Sequence, residues 1–272
     1  MKVISLALFD AQDKNCHSFS SFLRMFAITI RAYKYIFPEW EIILHIDEEV
    51  KGRYIDYFSL LEKDIQVIKI RTYKKAPLTR AMLWRIDPVD YAEVTLCRDI
   101  DSLPTLRERQ AVEYWLTTAK KAHGIVDSIS HNIPMMGGMC GFLNKAFTVY
   151  PDRYNMSWKT KGMDQAFLMA HVYPKVADSF LLHSFLGLPG GTTELVKDTW
   201  GIDPACNDLV NHIGQGGFHL DKTYNPEINK TYAGALNYYV KTPPPEIAIL
   251  NDQLLIVEAD LERKHNGTFY WT

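Results

Sequence analysis

Asp99 and Asp101 stand one residue apart in Cys97-Arg-Asp-Ile-Asp-Ser102, directly after the apolar stretch that begins at Tyr91. Just beyond a strand, where the chain bends, two such carboxylates can approach one cation. An oxygen-only, incomplete ligand set suits Mg²⁺ or Mn²⁺, with phosphates and water filling the remaining positions. A cation clamped in this way against a diphosphate neutralises charge developing on a phosphate leaving group. The same residues also have a purely structural use, in which Asp99 caps the following turn and Asp101 pairs with Arg98 or Arg107.

Further along, Ile133-Pro-Met-Met-Gly-Gly-Met-Cys-Gly141 needs glycine for tight backbone geometry, either as a plain connection or against a ligand. Gly162-Met-Asp-Gln165 opens a helix, and Asp164 suits its N-cap position. His123 and His183 follow or end apolar strands and read as structural. Trp84 and Trp115 recur at helical spacing among apolar neighbours and read as core.

The elements that must position these groups alternate. Val3–Phe9, Glu41–Asp47, Ile65–Ile70 and Ala92–Cys97 read as strands, and helices are expected over Ser18–Phe37, about Glu49–Glu62 and Thr79–Ile86. Strand and helix alternating four times in about a hundred residues predicts a parallel α/β sheet. Ligands of such sheets bind beyond the carboxyl ends of the strands, where Asp10, Asp47, Asp99 and Asp101 fall. Leu103-Pro104 then breaks the chain, and Thr105 with Glu108 forms a capping box for a helix reaching about Lys121. Strands are expected over His123–Ser128, Met139–Leu143 and Ser179–His183, with a helix from Gly162 ended by Pro174. From about Gly187 the pattern weakens into an irregular C-terminal third, and no repeat or interdomain linker is visible.

Composition narrows the function. A net charge of −2 provides no basic field for nucleic acid. The four cysteines, 16, 97, 140 and 206, form no CxxC pair, which speaks against zinc and for reduced thiols. Asp10 arrives too soon for a signal-peptide core, and no apolar run reaches the roughly 18 residues of a membrane helix. A cytoplasmic protein, soluble or peripheral at a membrane, is the expectation. Oligomeric state is not legible.

Between Arg80 and Phe142, LWRID, RDIDS, LRERQAVEYWL, HGIVDSISHNIP and GGMCGF occur in that order. In this run the chain resembles the GT-A-fold glycosyltransferases, closest to a group of small bacterial and viral sugar transferases. The match covers about a quarter of the chain, and FAITIRAYKYIFPEWEIILHID adds to it. The resemblance implies one GT-A-like, Rossmann-like α/β domain with a mostly parallel sheet. Residues of about 1–102 would bind nucleotide, and about 103–272 the donor sugar and acceptor. In such enzymes the D-x-D holds Mn²⁺ or Mg²⁺ on a nucleotide-sugar's diphosphate. Carried over, Asp101 is a direct metal ligand and Asp99 contacts ribose or a metal-bound water. Phe9 and Asp10 meet the base, and Arg80, Arg85 and Arg98 supply cationic contacts, although each also reads as an ion-pair arginine. His212, in Asn-His-Ile-Gly-Gln215, resembles a third-ligand H-x-G element, with His219 as its alternative. The lysine and tryptophan that usually follow that element are absent. Gly137 and Gly138 would lie against the donor sugar, and Asp164 beside the anomeric carbon as base or cation stabiliser. Asp127 and His131 flank the glycine loop and would bind hydroxyls.

The expected activity is transfer of a sugar from a nucleotide-sugar, a UDP-sugar by preference, to a hydroxyl acceptor on a glycan, lipid or protein. The rivals are a nucleotidyltransferase or metal-dependent phosphohydrolase, and a non-catalytic carbohydrate-binding protein. The loop after the first strand, DAQDKNCHS, has no glycine, against the phosphate loop a nucleotidyltransferase would carry.

Overall fold

β1 (Lys2–Leu8) is buried at six consecutive positions, the pattern of a strand covered on both faces. The computed structural model describes residues 1–9, 19–65, 68–74, 78–126, 133–148, 162–184 and 192–194. Within them β1 pairs in parallel with β2 (Glu41–Asp47) on one side and β4 (Val94–Arg98) on the other. β3 (Ile68–Tyr73) adds to β2, and the eight-stranded sheet runs β3-β2-β1-β4-β6-β5-β7-β8. β6 (Met139–Leu143) is antiparallel to both its neighbours, β4 and β5 (Ala122–Val126). β7 (Phe180–Ser184) and β8 (Thr192–Glu194) extend the sheet in parallel. The chain is therefore an α/β fold with a mostly parallel sheet. Strand order reverses between β1 and β4, and the crevice beyond their carboxyl ends is where such sheets bind ligands.

Alternation divides the sheet into two unlike faces. One carries Ile4, Leu6, Leu8, Ile42, Leu44, Ile46 and Leu96, all in one apolar cluster. α1 (Phe19–Ile36) packs there through Leu23, Phe26, Ala27, Ile30 and Tyr33, a stripe at helical spacing. α3 (Ile55–Ile65) adds Tyr57, Phe58 and Leu61, and α5 (Leu106–Thr117) adds Val112 and Trp115. On the other face Cys97, Cys140, Phe142, Phe180 and Leu182 meet Leu83, Ile86, Phe167, Leu168 and Val176.

Several boundaries differ from the sequence expectation. The second helix is two: α2 (Glu48–Arg53), capped by Asp47, and α3, separated at the buried Tyr54, whose backbone leaves helical geometry after Gly52. Asp47 thus caps a helix, accepting from Glu49 N at 2.8 Å. β3 starts three residues late because α3 keeps Ile65, and its exposed Lys69 and Arg71 protect a sheet edge. α4 (Leu78–Met82) passes into a 3-10 helix over Leu83–Asp90. Pro174 does not end its helix. α6 (Met163–Phe167) widens to a π turn at Leu168–Val172 and continues as α7 (Tyr173–Val176) with Pro174 in its first turn. A proline lacks the N–H of an ordinary helical bond and crowds the carbonyl four residues earlier, and the wider turn relieves both. Only one half of the capping box is made as expected. Thr105 accepts from Glu108 N at 3.0 Å, while the Glu108 carboxylate turns inward to Arg98.

His123 and His183, on β5 and β7, are buried together beside α5. His123 stacks on Trp115 at 4.3 Å, and the two imidazoles meet edge to face at 5.6 Å. Burial lowers both pKa values, that of His183 to about 4 and that of His123 well below its ordinary range, where the neighbouring His183 adds to the effect. Both groups take up protons more readily when unfolded, so they favour the fold above about pH 6.5 and oppose it as pH falls towards 4. His183 alone is expected to remove about 2 kcal/mol of stability between pH 7 and pH 5, with His123 adding to it. Urea unfolding at the two pH values measures the loss, and His183→Gln should reduce the slope.

Candidate active site

β4 ends with residues whose side chains must point to opposite faces. Arg98 goes to the helix side. It is buried, its Nε donates to Glu108 at 2.6 Å, and its Nη1 donates to the carbonyls of Cys97 and Cys140 at 2.8 and 2.9 Å. Asp99 goes to the other side and is the first residue past the strand. Ser102 N donates back to the Asp99 carbonyl at 3.3 Å, closing a turn that holds Asp99, Ile100 and Asp101 at the β1–β4 crevice. Asp101 is partly buried in that turn.

The partner of Asp99 is Arg85, from the 3-10 helix. The Arg85 guanidinium is almost fully enclosed; its Nη1 binds Asp99 Oδ1 and its Nη2 donates to Asp164 Oδ2 at 2.9 Å. Burial pulls the Arg85 pKa down, but the charges of Asp99 and Asp164 outweigh it and raise the pKa above its ordinary value. One cation thus bridges two carboxylates that lie 65 positions apart in the chain (164 − 99). Asp99 remains 45% exposed, whereas the Asp164 side chain is 2% exposed. The second oxygen of Asp164, Oδ1, is buried with no hydrogen-bond partner among the described residues.

Asp164 does not cap its helix. Gly162 holds the N-cap position at φ 84, a left-handed conformation that glycine adopts without a Cβ clash. The helix begins two residues before the start that an Asp164 cap would set, and Asp164 turns inward to Arg85. The two glycines of the preceding loop complete the enclosure. A Cβ on Gly137 would lie 2.5 Å from Arg85 Nη2 and 2.6 Å from Asp164 Oδ2. One on Gly138 would lie 2.0 Å from Asp99 Oδ2. Residues 85, 99, 137, 138 and 164 therefore form one packed cluster at the carboxyl end of β4.

Phe9 follows β1 at the same crevice and is half-buried. Arg80 lies on α4, which packs on β1 and α6, and its Nε is enclosed without a partner among the described residues. Arg98 departs from expectation: enclosed between β4, β6 and α5, it holds the sheet to the helix and is shut off from the crevice. Asp10, Asp127, His131, His212 and His219 lie outside the described residues. Trp84 and Trp115 are buried, the first stacked on Tyr73 at 4.6 Å. Cys97 and Cys140 face each other across β4 and β6 as buried free thiols, a pairing that only strand register reveals. Among the described residues no three side chains converge as metal ligands. Asp99 and Asp101 fit a hard cation of the kind that takes one or two carboxylates and fills its other positions with water and phosphate.

No protein-family model matches the chain, and neither does any curated protein. Among solved structures it is similar to a putative glucose-1-phosphate thymidylyltransferase from Bacillus anthracis, crystallised in complex with a sucrose. Identity is 12%, 70% of this chain and 87% of that one are covered, and the TM-score is 0.45. A likeness at that level leaves the chemistry to be argued from the cluster itself.

Gly124 on β5 and Gly138 in the loop before β6 offer a test of which close approach is structural. A Cβ on Gly124 would lie 2.1 Å from the Pro134 carbonyl oxygen, a backbone atom that cannot swing aside. Gly124→Ala is expected to cost about 3 kcal/mol, the upper end for overpacking, and Gly138→Ala about 1 kcal/mol, because half-exposed Asp99 can rotate outward. Urea midpoints separate the two, and equal losses would contradict this assignment. Arg98→Met should cost about 3–5 kcal/mol by leaving the Glu108 charge buried and unpaired.

Proposed function

We propose that the chain is a glycosyltransferase that takes a nucleotide-sugar, by preference a UDP-sugar, and passes the sugar to a hydroxyl acceptor. The observation that carries this reading is the Asp99–Arg85–Asp164 bridge. It brings the D-x-D turn, the Gly137-Gly138 loop and the D-Q helix, which the sequence resemblance assigns to diphosphate and donor sugar, into mutual contact.

The division of labour follows from exposure. Asp99, 45% exposed, and Asp101, partly buried in the same turn, would hold Mn²⁺ or Mg²⁺, which when bound supplies positive charge to the diphosphate. Arg85 adds a fixed cation beside that position and costs no reorganisation when charge develops. Among the described residues the buried Asp164 Oδ1 has no donor, and a buried acceptor without a partner is costly, so a ligand hydroxyl in contact with it is favoured. Glycine at 137 and 138 leaves room for the Arg85 ion pairs that hold these groups together, where a side chain would collide. Phe9, half-buried at the end of β1, would stack on the base. In this scheme residues of about 1–102 bind the nucleotide and the remainder the sugar and acceptor. Asp127 and His212 belong to it as hydroxyl contact and third metal ligand.

Calorimetric titration of UDP and GDP, with Mn²⁺ and then with EDTA, tests the reading. One nucleotide should bind only with the metal, and Asp101→Asn should weaken it at least about tenfold, the loss of one charge-assisted contact. Asp164→Asn should leave UDP affinity within about threefold and abolish the further affinity gained with the sugar attached. Binding that ignores EDTA and Asp101→Asn would overturn the proposal. A preference for a nucleoside triphosphate over the diphosphate would turn it towards nucleotidyl transfer.

A further inference from the structure

We propose that Ser5, His45, Tyr73 and Asp87 are positioning residues for Arg85, joined in a hydrogen-bonded chain that crosses three strands to the 3-10 helix. Ser5 Oγ lies 3.0 Å from His45 Nε2, and His45 Nδ1 lies 2.7 Å from the Tyr73 hydroxyl. The Tyr73 hydroxyl donates to Asp87 Oδ2 at 2.9 Å. That last donation fixes the direction of the next bond. With its proton committed to a carboxylate, the Tyr73 oxygen accepts from His45 Nδ1–H, and Ser5 Oγ pairs with the ring's other nitrogen, Nε2. β1, β2 and β3 are thereby tied to residue 87, two positions beyond Arg85.

The segment that carries Arg85 needs such anchorage. A 3-10 helix has poorer hydrogen-bond geometry than an α-helix, and runs longer than three or four residues are uncommon. This one spans eight residues and contains Pro88. Three of its residues are fastened to the sheet: Trp84 stacks on Tyr73, the Arg85 carbonyl accepts from Cys97 Sγ at 3.4 Å, and Asp87 accepts from Tyr73. Tyr73 supplies two of the three, one through its ring and one through its hydroxyl. Ser5 and His45 are wholly buried, on a face whose other central residues are largely apolar. Polar groups there cost stability unless bonded, and their bonds are directional where apolar contact is not. Direction is what Arg85 requires, since its two forks must meet Asp99 and Asp164 together.

Tyr73→Phe keeps the ring and its stack and removes only the hydroxyl. The readout is rotation about the Nε–Cζ bond of Arg85, followed by nitrogen NMR of the guanidinium and assigned with Arg85→Lys. Two carboxylates should make rotation slow in the wild type, and Tyr73→Phe should accelerate it at least about tenfold, as expected for misalignment of one charge-assisted bond. His45→Asn, whose amide can replace Nδ1–H, should stay near the wild type, while His45→Leu should resemble Tyr73→Phe. Leu61→Ala, in the opposite core, controls for stability alone. Unchanged rotation in Tyr73→Phe, or equal loosening in Leu61→Ala, overturns the proposal. UDP affinity with Mn²⁺ should fall in parallel with the loosening. That arm rests on the proposed function; if the wild type binds no nucleotide, that function falls while guanidinium rotation still decides the positioning role.

Discussion

A buried guanidinium must be surrounded by charge of the opposite sign, and Arg85 meets this requirement with two carboxylates from distant parts of the chain. Much of the local architecture follows from it. The turn after β4 has to present Asp99 to the same face as the 3-10 helix. α6 has to start with a glycine cap so that Asp164 is free to turn inward. The loop before β6 carries glycine at two successive positions, where the ion pairs occupy the space a Cβ would need. Each of these looks local in the sequence, yet each is imposed by one shared cation.

The strand alternation of β4 decides which arginine can do this. Arg98 and Asp99 are neighbours, and a strand sends neighbours to opposite faces. Arg98 consequently meets Glu108 on α5 and two strand carbonyls. Asp99 is left without the adjacent arginine and takes one from a segment 14 residues earlier (99 − 85). An acidic residue flanked by arginine in the sequence is therefore not paired with it in space, and the pairing that matters comes from register and topology.

That limit marks how far the sequence could be read. β2 and β6 match their expected bounds, and the parallel run of the first four strands follows from alternation alone. Their apolar runs are short and end at polar residues, so periodicity sufficed. The antiparallel insertion of β6 was not legible, because an apolar strand looks alike in either direction. The split at Tyr54 and the π turn before Pro174 escaped for a related reason: both are backbone adjustments decided by packing. Asp99, Arg85, Gly137, Gly138 and Asp164 could each be singled out by type and motif, but not their contact, which depends on three connections of unrelated length. Nothing marked Ser5, His45, Tyr73 or Asp87, since a serine or histidine inside an apolar strand resembles any tolerated polar residue until its partners are seen.

The two buried arginines differ in a way that the proposed function uses. The Arg98 pair is enclosed on every side, with both side chains 1% exposed, and breaking it would serve no exchange with solvent. The Arg85 cluster is graded: Asp164 is enclosed with one oxygen lacking a partner among the described residues, Arg85 is enclosed between charges, and Asp99 opens to water. Under the proposed function, a ligand reaching Asp164 Oδ1 would pass or replace the solvated edge at Asp99 and carry a donor group at its deep end. At the shallow end beside Asp101 it would carry a group tolerant of anionic surroundings, or a cation. A sugar linked to a metal-bound diphosphate has that polarity along its length. The ordering is set by burial and charge, so it would hold for a different sugar or nucleotide, and it would not suit a ligand whose hydroxyls and charge were mixed at both ends.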